Sequence, residues 1–97
     1  MTLSLRSQVR AAPEQVSSDV AGETVILELD RGVYYGLADV GARVWELLRE
    51  PRTVAEIRDV VVSEYDVEPG RAGADLLSLL AEMQARGLVE VRDEEAP

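Results

Sequence analysis

The sequence predicts an α+β domain in which a three-stranded antiparallel sheet is followed by three helices. Three observations carry this expectation. β-prone runs flank a glycine-containing turn near residue 30. A helical apolar period takes over after residue 39. Helix-stop and helix-start signals then divide the second half of the chain.

The first strand is expected in "EQVSSDV", residues 14–20, before Gly22 breaks it. The second is "ETVILELD", residues 23–30, with Val25, Leu27 and Leu29 on one face and Ile26 and Glu28 on the other. Asp30-Arg31-Gly32 signals a hairpin, because glycine supplies the positive φ of a tight β-turn. "VYYGL" returns as the third strand, with Val33, Tyr35 and Leu37 on one face and Tyr34 and Gly36 on the other. The adjacent tyrosines therefore point to opposite faces, and the pattern leaves open which one meets the core.

Asp39 sits where an N-cap belongs, ahead of a helix whose Gly41, Val44, Trp45 and Leu48 follow i, i+3, i+4, i+7 spacing. Pro51 stops it. Thr53 and Glu56 have the spacing of a capping box and open a second helix, with Val54, Ile57, Val61 and Tyr65 as its stripe. The third helix begins at Pro69 or Arg71 and ends at Arg86, with Gly87 as the C-terminal cap. Ala72, Leu76, Leu79, Leu80 and Met83 fall in a sector about 100° wide, bordered on the Leu79 side by Asp75, Glu82 and Arg86. "LVEV", residues 88–91, is a short closing strand. The expected organisation is an N-terminal tail or late-pairing segment at 1–13, one domain at 14–92 and an acidic tail at 93–97. The element order resembles a winged helix with its hairpin moved to the N-terminal side.

The 97 residues leave room for one domain, and 46% hydrophobic residues suffice for its core. Cysteine and histidine are absent, which excludes disulfides, thiol nucleophiles and Ser-His triads. No catalytic residue, metal site or cofactor is expected. Glu64, Asp66 and Glu68 lie in a turn and Asp93, Glu94 and Glu95 in a tail, as solvated charges do. "GRAG", residues 70–73, lacks the lysine and preceding strand of a phosphate loop and fits a helix start. Neither of the last two helices offers a basic face, and a net charge of −9 opposes nucleic-acid binding. With no signal peptide and no apolar run of spanning length, a cytoplasmic protein without membrane contact is expected. One feature invites a partner: the third strand carries no Lys, Pro or inward charge, so a free edge there would accept an added strand.

The ordered set "VILELDRGVYYGLADVGARVWELL", "TVAEIRDVVVSEY" and "DLLSLLAEMQARGLVEV" resembles the PqqD-like family across residues 21–91. This family supplies recognition elements for ribosomally made, post-translationally modified peptides. The resemblance implies a leader peptide added beside the third strand, in a groove against the third helix. It assigns the pairing edge to Val33, Tyr34, Tyr35, Gly36 and Leu37, and the groove wall to Ala72, Asp75, Leu76, Leu79 and Met83. Trp45 matches a family position, but its place in the first helix's stripe makes it a core residue. A freestanding chain of this length resembles most the leader-binding proteins of lasso-peptide pathways, whose partners are a separate leader peptidase and a macrolactam-forming synthetase. The alternatives are a PqqD-type chaperone serving a radical SAM enzyme in pyrroloquinoline quinone biosynthesis, and a winged-helix DNA-binding regulator. An uncovered edge also allows either a monomer or an edge-paired dimer.

Overall fold

The computed structural model describes residues 3–13, 15–20, 23–28 and 32–92. In chain order they form β1 (Gln8–Ala11), β2 (Gln15–Val20), β3 (Glu23–Glu28), β4 (Val33–Ala38), α1 (Val40–Leu47), β5 (Arg52–Thr53), α2 (Val54–Glu64), α3 (Pro69–Ala85) and β6 (Val89–Arg92). The three expected strands are β2, β3 and β4, which form an antiparallel meander in that order. Ile26 lies opposite Tyr35 and Ser17, and Leu27 opposite Tyr34 and Val16. Period-two alternation then turns Thr24, Ile26 and Leu37 into the core and leaves Val16, Val20 and Tyr34 exposed. Gly32, at φ 66°, closes the turn; Leu29, Asp30 and Arg31 lie outside the described residues.

A second sheet, absent from the sequence expectation, has the order β5-β1-β6. Its central strand comes from the segment expected to be a tail or to pair late. Val9 faces Val91 on one side and Arg52 on the other, and is fully buried. The flanking backbone is tied down as well. Val54 N–H donates to the Ser7 carbonyl at 3.0 Å, Ala11 N–H to Leu48 at 2.9 Å and Ala12 N–H to Leu88 at 2.9 Å. The expected closing strand is β6, and the acidic tail at 93–97 lies outside the described residues.

The helices follow their signals, with one correction. Asp39 occupies the N-cap position of α1, but its side chain makes no capping bond, and its backbone takes φ 51°, ψ −120°. At the start of α2 the capping box is complete. Thr53 Oγ1 accepts from Glu56 N–H at 3.1 Å, and Glu56 Oε1 accepts from Thr53 N–H at 2.9 Å. Helix α3 starts at Pro69 and ends in a Schellman turn. There Leu88 N–H donates to Met83 at 2.9 Å and Gly87 N–H, at φ 74°, to Gln84 at 3.0 Å. Both apolar residues of that motif, Met83 and Leu88, are in the core with Trp45, Leu48, Ile57 and Leu80. Among the described residues no helix is long and apolar enough to cross a membrane.

Candidate functional site

Among the described residues strand β4 is the last in its sheet, so alternate backbone N–H and C=O groups along it have no strand partner there. The side chains leave this edge accessible. Tyr34 stands on the outer face, 70% exposed. Val33 is exposed beside it, and the space above Gly36 is open for at least 4 Å. Tyr35 and Leu37 point inward, Leu37 buried and Tyr35 half-buried. The inward tyrosine is therefore Tyr35.

Tyr35 spans the gap to α3. Its ring centroid lies 5.0 Å from the Arg86 guanidinium carbon, within reach of a cation–π contact. The Glu82 carboxylate lies near the Tyr35 hydroxyl. Burial first, then the Glu82 charge, raises the tyrosine's pKa above its ordinary value, while Arg86 opposes them. The hydroxyl thus stays protonated beside Glu82, whose Oε1 lies 3.4 Å from Arg86. A small pocket of about 120 Å³ opens beside this bridge, lined by Glu28, Val33, Tyr35, Arg86 and Leu88.

A larger groove of about 550 Å³ lies between the three helices. Helix α1 contributes Val40, Gly41 and Val44; α2 and the turn after it contribute Val61, Tyr65, Asp66 and Val67. Helix α3 contributes Ala72, Asp75, Leu76 and Leu79, four of the five wall residues expected from the sequence. Met83, the fifth, is fully buried and does not reach the groove. It lies about 40° around the helix from Leu79, on the Leu80 side. The α1 and α2 lining went unassigned, although their apolar stripes were legible; Asp66 and Val67 sit in a turn that carries no periodic signal. A polar cleft of about 320 Å³ near β1 and β6 is instead spanned by the Arg10–Glu90 ion pair, at 2.6 Å. Among the described residues no three His, Cys, Asp or Glu side chains converge on a metal-sized site. An unpaired strand edge, together with an apolar groove, suits an extended peptide, with main-chain bonds for affinity and pockets for alternate side chains.

The model of the family described as coenzyme PQQ synthesis protein D (PqqD) matches residues 23–89. The chain belongs to the PqqD family. Among solved structures it is similar to TbiB1 in complex with the TbiA(beta) leader peptide, with 33% identity and a TM-score of 0.78 over 91% of this chain and 99% of that one. It is also similar to lasso peptide synthetase B1 complexed with the leader peptide, with 26% identity and a TM-score of 0.76 over 84% and 96%. The PqqD truncation of Methylobacterium extorquens PqqCD, a stand-alone RiPP recognition element, shares the PqqD-family fold at 22% identity, with a TM-score of 0.77 over 92% and 95%. No curated protein matches.

Proposed function

We propose that this chain binds the leader segment of a ribosomally synthesised precursor peptide, without catalysing a reaction itself, and delivers it to a separate leader peptidase and a macrolactam-forming synthetase in lasso-peptide biosynthesis. The observation that carries this reading is the open β4 edge, in a chain that also has an apolar groove between its helices. The likeness to two leader-bound structures supports it. The leader adds as a strand along Val33, Tyr34, Tyr35, Gly36 and Leu37, chiefly through their backbone. Ala72, Asp75, Leu76 and Leu79 receive its side chains, while Met83 supports that wall from within. Ordering a flexible leader costs entropy, so a few anchored side chains and moderate affinity are expected. The match to the PQQ-synthesis family favours a second reading, presentation of a precursor to a radical SAM enzyme. Either role suits a cytoplasmic protein, monomeric when the leader covers the edge.

The test is a fluorescence-polarisation titration with a lasso-peptide precursor's leader peptide, taken from the gene neighbourhood of this chain where one is found there. Saturable binding is expected; its absence across salt conditions overturns the reading. Neighbouring residues of β4 aim their N–H groups to opposite sides, one toward β3 and one toward the free edge. Of Tyr34→Pro and Tyr35→Pro, the variant that loses the edge donor should keep its circular dichroism spectrum and lose at least about tenfold in leader affinity. A folded variant of each kind with undiminished affinity would remove β4 as the binding edge.

A further inference from the structure

The groove between the three helices is apolar at its base and anionic at its rim. Among the described residues its lining contains two carboxylates, Asp66 and Asp75, and no lysine or arginine. The basic side chains nearby are already matched with acids. Arg43 makes 2.8 Å contacts to both Glu64 and Glu46, and Arg71 lies 3.8 Å from Asp75. The chain as a whole carries −9, so the local field adds to a general negative one.

We propose that the peptide segment in this groove carries a lysine or arginine next to its apolar anchor, and that Asp66 and Asp75 select it. This rests on the leader-binding reading and adds a charge requirement to it. The geometry suits such a side chain, because its aliphatic stem can lie along Leu79 and Val67 while its charged head stays at the wet rim. An acidic residue at the same place meets the Asp66 charge and an Asp75 charge only partly offset by Arg71, and binds less well. Groove and strand edge then read different properties: the edge takes almost any backbone, and the rim favours one sign of charge. The rim thus filters peptides that the edge alone would accept.

The decisive measurement is leader affinity for the wild-type chain and for Asp66→Asn/Asp75→Asn, at low and high salt. Exposed pairs are weak, so the double variant should lose about fivefold at low salt. The difference should vanish at about 0.5 M salt, where screening is nearly complete at this range. One Lys→Gln or Arg→Gln change in the leader should cause the same loss, and should add nothing in the double variant. Asp59→Asn/Glu50→Gln removes two charges away from the groove and should leave affinity unchanged, which separates the rim from net charge. Equal wild-type and Asp66→Asn/Asp75→Asn affinities for a leader that binds saturably overturn the proposal and leave the leader reading standing. A saturably bound leader without lysine or arginine does the same. Absence of binding by the wild type overturns the leader reading, and this proposal with it.

Discussion

Asp39 turns the chain from β4 into α1 with φ 51°, ψ −120°, a conformation that suits glycine and strains a residue with a Cβ. The strain sits next to Val40 and Gly41, where the groove begins. Asp39→Gly is expected to stabilise the fold by about 1 kcal/mol in urea denaturation, since no side-chain cap is lost. The sequence placed Asp39 correctly at the helix start but for another reason. Asp favours N-caps, and residue type alone does not distinguish a capping carboxylate from a strained backbone. The tyrosine pair shows a similar limit. Alternation separates Tyr34 from Tyr35, but the outer face also carries Val16, Val25 and Leu27, so it looks as apolar in sequence as the inner one. What settles the choice is Glu82 and Arg86, which meet Tyr35 from a helix some fifty residues on.

Among the elements, the start of α2 was the most legible, because its capping box is a local pattern that local geometry satisfies. Thr53→Ala should cost about 1 kcal/mol in thermal or chemical denaturation. The same bonds lower the Glu56 pKa, the Thr53 backbone N–H contributing most and its hydroxyl next. Arg43 lowers that of Glu64 through a two-point contact joining α1 to α2. A carboxylate with a depressed folded pKa adds stability above its unfolded pKa, and that stability is lost as pH falls through the folded value. The melting temperature should therefore drop on acidification below about pH 4. Glu64→Gln should lower it at neutral pH and narrow the gap between neutral and acid conditions. If Glu64→Gln melts with the wild-type acid dependence, the α1–α2 contact carries no linked stability. In α3 the stripe was legible as a set but not in its division. Leu79 and Met83 lie close together on the wheel, and only the position of β6 and the sheet sends one to the groove and the other inside.

For the whole molecule, the meander and three helices were legible and the second sheet was not. β1 is four residues long with weak alternation, and its partners lie at 52–53 and 89–92. Nothing near it in sequence reveals that Val9 completes a core. Val9→Ala should cost about 2 kcal/mol, measured by urea denaturation, which a frayed tail would not show. Leader affinity per folded molecule should survive, because β1 belongs to the other sheet. That separation also orders events in time. The meander and α1 join segments close in sequence, so the strand that offers its edge can form early during synthesis. The β1–β6 ladder waits until residues 89–92 have emerged, and then brings Gln8 opposite Arg92. The chain is thereby almost a ring. A linker from the end of β6 to Leu3, which keeps the Leu5 and Ser7 carbonyls in place, should yield a circular permutant, opened between α2 and α3, with the native fold. In such a permutant β6 and β1 become a local hairpin, and the slowest contact of the natural chain becomes one of its fastest.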